Sequence, residues 1–273
     1  MSKLTLCPTI FLDSYTIYRY LILSSICIQF AFCQSCKSTP FYDSTAEQCK
    51  ASALGFATAE NMNNALAVVV YNEDSVFPLH KPERTFKYCD RDIVIKQDWS
   101  GLGVAAVVWD AAEVLSEYLE NSADIVKDKT VIELGAGTGL VGIVASLLGA
   151  KTTITDREEV LQYLQTTVKS NLPGAIYKNT QILPLDWTRD LDKFHTTYDV
   201  ILGADIVYIE EVFDDLLSTL IQLSNKETVI LLSCRIRYDR DTNFLNRLED
   251  HFDVVKVLYS KEKDVNLYKM TKR

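Results

Sequence analysis

Residues 131–142 read VIELGAGTGLVG, an apolar strand that runs straight into a glycine-rich turn. A second strand-like segment, KTTIT at 151–155, ends against Asp156. Strand, glycine turn, helix, strand and terminal acid make one nucleoside-binding half of a Rossmann-like sheet. Gly135, Gly137 and Gly139 are spaced G-x-G-x-G, not the G-x-G-x-x-G of dinucleotide sites. A pyrophosphate needs the tighter helix approach of the longer motif. A cofactor without phosphate, such as S-adenosylmethionine, needs only close backbone approach to its amino-acid tail. The spacing therefore points away from hydride transfer and toward methyl transfer.

Outward from this motif, strand and helix patterns alternate. Thr130–Leu134, Lys151–Thr155, Gln181–Leu185, Asp199–Gly203 and Thr228–Ser233 read as strands. Leu140–Leu148, Arg157–Asn171, Glu210–Ser224 and Thr242–His251 read as helices. VIEL and VILGA are apolar on both faces, as a parallel sheet covered by helices requires. Asp253–Ser260 and Val265–Thr271 leave no room for a helix between them and predict an antiparallel edge hairpin. On the N-terminal side, Thr85–Ile95 alternates and predicts a hairpin turning near Asp90. Gly103–Glu120 has helical apolar spacing. The expected fold is α/β: a Rossmann-like class I methyltransferase plan, with seven mostly parallel strands and helices on both faces.

The chain has 273 residues, 28 Lys and Arg against 37 Asp and Glu, and a net charge of −9. That balance disfavours phosphate-backbone binding and suits a basic protein surface. Residues 1–70 differ from the rest. They carry five of the seven cysteines and an uncharged run, Leu21–Phe32, too short to span a bilayer. The run resembles a signal-peptide core followed by Ala31-Phe32-Cys33, although Asp13 interrupts the basic region before it. The expectation is a poorly ordered N-terminal extension over 1–70, with a targeting or anchoring signal as the alternative, and a methyltransferase domain over 71–273. Cys33 and Cys36 lack a second ligand pair at zinc spacing, and His80, His195 and His251 are isolated, so no metal is expected. Reduced cysteines in the main body suit the cytoplasm.

The candidate site residues follow the strands. Gly135, Ala136 and Gly137 let the backbone approach the cofactor. Glu133, an acid inside an apolar run, needs a partner: either amides around the cofactor's amino group or a structural network. Asp156 sits where a carboxylate takes both ribose hydroxyls, and it can also cap the following helix. Trp187, after the third strand, can cover an adenine face; Trp109 can do the same or pack in the core. Asp205 and Tyr208 follow the strand VILGA at the switch-point edge and can orient a lysine amine, or cap and pack. No Pro-Pro follows this acid, unlike the Asn/Asp-Pro-Pro-aromatic of enzymes that methylate base nitrogens or glutamine amides. Arg235-Ile236-Arg237-Tyr238 reads as a solvated loop or a contact to an acidic surface.

Taken together, VIELGAGTGLVG, TITD, LDW, LGADIVY, GVAAVVWDAA, CRIRYDRD and EKDV resemble methyltransferase-like family 21 of the seven-β-strand protein-lysine methyltransferases. The resemblance runs from about Tyr71 to the C-terminus. It implies S-adenosylmethionine as cofactor, held at Trp109, Gly135 to Gly137, Asp156, Trp187 and Ala204. It implies a D-x-x-Y signature at Asp205 to Tyr208 beside the lysine channel. It also implies a protein substrate, a seventy-kilodalton heat-shock chaperone. No nucleic-acid partner, no stable membrane association apart from the open question of the Leu21–Phe32 run, and a monomer are the separate expectations. A small-molecule or nucleic-acid methyltransferase on the same fold, and a catalytically silent chaperone partner, stay open as alternatives.

Overall fold

The computed structural model describes residues 77–273. The expectations for 1–70, including Leu21–Phe32 and Cys33-x-x-Cys36, lie outside the described residues. The described part begins with a two-stranded hairpin, β1 (Glu83–Tyr88) and β2 (Arg91–Lys96). Cys89 and Asp90 both have φ near +55°, the left-handed pair that a two-residue hairpin turn demands. The turn thus lies where the alternation places it.

Seven strands then form one sheet: β3 (Thr130–Leu134), β4 (Lys151–Asp156), β5 (Gln181–Pro184), β6 (Val200–Ala204), β7 (Val229–Cys234), β8 (Phe252–Ser260) and β9 (Val265–Lys272). Their order is β5-β4-β3-β6-β7-β9-β8. β9 runs antiparallel to β7 and to β8; the other pairs are parallel. This is the sheet expected, reversed edge included. Its strand order reverses between β3 and β6, so their C-terminal ends open the crevice where α/β sheets bind ligands.

Five helices cover the sheet: α1 (Asp110–Asn121), α2 (Leu140–Leu147), α3 (Leu161–Asn171), α4 (Phe213–Leu223) and α5 (Asp239–Leu248). Neighbouring strand residues point to opposite faces, and both faces are dry. Val131, Val200 and Leu231 pack with Leu115, Ile143 and Leu164 of α1, α2 and α3, and with Ile93 and Ile95 of the hairpin. Ile132, Ile201 and Ile230 pack with Leu216 and Leu220 of α4 and Phe244 of α5. No helix of the described residues is long and apolar enough to cross a membrane.

Two elements depart from expectation: the last helix runs Asp239–Leu248 instead of Thr242–His251, and the segment before α1 is broken. Gly103–Glu120 is not a continuous helix. Gly103–Ala106 forms a 3-10 turn, Val107 is extended, and α1 begins only at Asp110. Trp109 is the extended N-cap residue of α1, with φ −86° and ψ 150°. The β-branched pair Val107-Val108 favours extended backbone, and Asp110 and Glu113 supply the negative charge that a first helical turn prefers. Apolar residues continue through the break because Ala106, Val107 and Val108 are buried along with Ala111, Val114 and Leu115 of α1.

Candidate active site

Every candidate except Glu133 lies at or beyond the C-terminal end of a sheet strand, or at the helix start beside it. The loop after β3 is held by Asp156, the last residue of β4. Its Oδ2 accepts from the Gly137 amide at 2.7 Å and its Oδ1 from the Arg157 amide at 2.7 Å. Asp156 is 8% exposed. Burial pushes its carboxyl up, against the pull of those two amides. Each oxygen keeps acceptor capacity for a further donor, such as a ribose hydroxyl. Both of its proposed tasks, helix start and ribose, are therefore compatible in one carboxylate.

The glycines are constrained by the protein itself. Gly137 has φ +54°, and a Cβ there would lie 2.8 Å from the Ala105 carbonyl oxygen. A Cβ on Gly135 would lie 2.9 Å from Ile206 and 3.4 Å from the Trp187 ring. The tight turn thus follows from its packing against the 103–106 segment and the loop after β6. Ala136 donates to the Thr155 carbonyl at 2.9 Å and locks the turn onto β4.

Glu133 turns elsewhere. It is 2% exposed, and its Oε2 accepts from the Gly142 amide in the first turn of α2 at 2.8 Å. Burial pushes its carboxyl up to about 8; the Gly142 amide opposes that rise and the Asp156 charge adds to it. Of the two readings, the structure shows a network contact within the fold.

Trp187 follows β5 and packs over Gly135. Its buried indole Nε1 has no acceptor among the described residues, an orphaned donor in the cofactor crevice. Trp109 Nε1 donates to the Val104 carbonyl at 3.0 Å, which fixes the ring by its edge. Ala204 closes β6 in register with Ser233. A glycine cradle, a buried carboxylate at the end of β4 and an aromatic with an unused donor fit a nucleoside cofactor with an amino-acid tail, such as S-adenosylmethionine.

Asp205 is constrained both by its backbone and by its side-chain partner. It has φ +56°, and its amide donates to the Ser233 carbonyl at 2.8 Å. Its side chain is 7% exposed and is gripped by Arg237, Nη1 to Oδ1 at 3.0 Å and Nη2 to Oδ2 at 2.7 Å. The Arg237 guanidinium also stands 5.9 Å from the centre of the Trp109 ring. A cavity of about 10 Å³, one water in size, is lined by Trp109, Asp110, Asp205, Arg235 and Arg237 among others. Tyr208 lies three residues further along the same loop, is 37% exposed and is not among the residues lining this small cavity. Arg237 was read from sequence as part of a solvated loop. Nothing in an Arg-x-Arg run reports that the loop after β7 folds back over the end of β6.

These features match known proteins. A family profile described as lysine methyltransferase matches residues 87–251. Protein N-lysine methyltransferase METTL21A of Mus musculus is 52% identical over 212 residues, covering 76% of this chain and 97% of that protein. EEF1A lysine methyltransferase 3 of Xenopus tropicalis is 39% identical over 193 residues, covering 70% and 85%. A solved chain from Streptococcus mutans, named as a SAM-dependent methyltransferase, superposes with a TM-score of 0.53 at 16% identity, covering 70% of this chain and 55% of that one; this likeness shows the fold. The open sheet with its reversed edge, the glycine turn tied to the acid of β4 and the extent of these matches lead to one assignment: the chain belongs to the lysine methyltransferase family.

Proposed function

We propose that this protein transfers methyl groups from S-adenosylmethionine to a lysine amine of a folded protein, with a seventy-kilodalton heat-shock chaperone as the substrate. The observation that carries the reading is the 52% identity to a protein N-lysine methyltransferase across 97% of that relative's length. The bound cofactor supplies an electrophilic methyl group. The chain's residues do the rest. Gly135, Ala136 and Gly137 take the amino-acid tail, Asp156 the ribose hydroxyls, and Trp109, Trp187 and Ala204 flank the remaining faces. Asp205 accepts an N–H of the acceptor amine and aims its lone pair, and Tyr208 borders the channel mouth. Catalysis of this kind is mostly proximity and orientation. Glu133 supports the cofactor turn from beneath, through the first turn of α2.

The cytoplasm is the proposed location and a monomer the proposed state. The relatives named for elongation factor 1A mark a second protein substrate to set against the chaperone. The test is incubation of the purified chain with labelled S-adenosylmethionine and a hypomethylated cell lysate, followed by mass spectrometry. Label on a lysine of the chaperone supports the full proposal. Label on elongation factor 1A keeps the reaction and replaces the substrate, and label confined to nucleic acid or small molecules overturns the protein-lysine reading.

A further inference from the structure

Asp205 is placed to meet the acceptor amine, yet a lone carboxylate there would work against the reaction. A lysine amine attacks only through its neutral form, and an adjacent anion favours the ammonium. The surroundings of Asp205 resolve this conflict. Its charge is matched one to one by the bidentate guanidinium of Arg237. Oδ1 takes Arg237 Nη1 and, at 3.4 Å, the Arg235 amide; Oδ2 takes Arg237 Nη2, and a carboxylate oxygen with two lone pairs can accept a further donor.

The neighbouring charged groups each have an oppositely charged group within 4 Å, although Asp241 Oδ1, Arg240 Nε and Arg235 Nε make no hydrogen bond among the described residues. From α5, Asp241 is 1% exposed and accepts from the Arg237 and Tyr238 amides, with Arg240 3.8 Å away. From α1, Asp110 pairs with Arg235 at 3.1 Å, and Arg235 also approaches Asp264 of the β8–β9 turn at 3.9 Å. Glu113 is held between Arg84 and Lys263. On β7, burial pushes the Cys234 thiol up to about 12, so it adds no charge. Tyr208 lies on the same loop as Asp205, and its carbonyl accepts from Arg240. The water-sized cavity bordered by Asp205, Arg237 and Trp109 is the size of one amine nitrogen.

We infer that Arg237 is a positioning residue that holds Asp205 as a neutralised hydrogen-bond acceptor, so that the substrate lysine reaches it as a free amine rather than as a trapped ammonium. The inference rests on the reading of Asp205 as the group that meets the acceptor. A nearby cation lowers the proton affinity of a lysine, and the guanidinium stays charged at every working pH. The ammonium proton passes to water. The nitrogen lone pair then forms its bond to the methyl carbon while the carbon–sulfur bond breaks and leaves its electron pair on sulfur.

The test compares the whole chain with its Arg237→Gln and Arg237→Lys variants, using unmethylated seventy-kilodalton heat-shock chaperone as acceptor and initial rates across the neutral to alkaline range. The glutamine amide can still donate to Asp205, so the loop keeps a tether. Binding of S-adenosylhomocysteine by each variant checks that the fold is intact. The inference expects the rising limb of the glutamine variant to move up by about one pH unit, a loss of about tenfold near neutrality that disappears at high pH. The lysine variant is expected to stay near the wild-type profile. A loss of equal size at every pH would overturn the inference and give Arg237 a packing role. Asp205→Ala, which removes the acceptor, separates the two levels. Full activity in that variant sinks the acceptor reading of Asp205 itself, whereas lost activity there with an unmoved Arg237→Gln profile sinks only the inference.

Discussion

Glu133 Oε2 accepts a hydrogen bond from the Gly142 amide at 2.8 Å, joining the centre of β3 to the first turn of α2 beneath the cofactor turn. The contact satisfies one of the four unpaired amides at a helix start. A buried acid held there has a measurable consequence for stability.

Burial raises the Glu133 carboxyl from 4.5 to about 8 in the folded chain. Below about 4.5 the folded and unfolded forms both carry the proton, and the group does not oppose folding. As pH rises toward 8 the unfolded chain ionises first, so folding stability falls, at up to about 1.4 kcal/mol per pH unit from this group. Glu133→Gln removes that slope. Urea unfolding at mildly acidic, neutral and alkaline pH should show a flatter profile for the variant; parallel profiles would mean that Glu133 is ionised throughout.

Asp156→Asn replaces one acceptor oxygen by an amide donor facing either Gly137 or Arg157. The opposed donors should cost about 1–3 kcal/mol of stability. Calorimetric titration should also show S-adenosylhomocysteine affinity reduced roughly tenfold or more, since hydrogen bonds to a charged group are worth about 1.5–3 kcal/mol. Unchanged affinity would remove Asp156 from the ribose site.

Gly137→Ala places a Cβ against the Ala105 carbonyl at a left-handed φ. The backbone conformation alone costs about 1–2 kcal/mol for alanine, and the 103–106 segment must also shift. Thermal unfolding should register the destabilisation. Cofactor affinity should fall with it, because the displaced segment leads directly to Trp109.

Asp205→Ala should leave S-adenosylhomocysteine binding intact while methyl transfer falls roughly a hundredfold, the size of effect expected when a reacting group loses its aim. The two readouts together separate an acceptor-side residue from a cofactor-side one.

Much of the fold is written along single segments. The dry faces of β3 and β6, the glycine turn and the acid ending β4 each arise from neighbours in the chain, so period and composition report them. The reversed edge was legible from the short Lys261–Asp264 connection, which no helix can fill. The break before α1 was not legible. Apolar spacing records which residues are buried, and burial runs on through Ala106, Val107 and Val108 across the break, so the pattern does not mark it.

The chain by itself determined the sheet, the glycine turn and the residues that close each strand, because local periodicity and backbone constraint decide them. Only the tertiary structure decided what those residues touch. Glu133 meets Gly142 nine positions away because α2 folds back over β3. Arg237 meets Asp205 across 32 positions because the loop after β7 returns over the end of β6. An ion pair between distant loops has no period and no fixed spacing; it exists once the sheet brings the strand ends together.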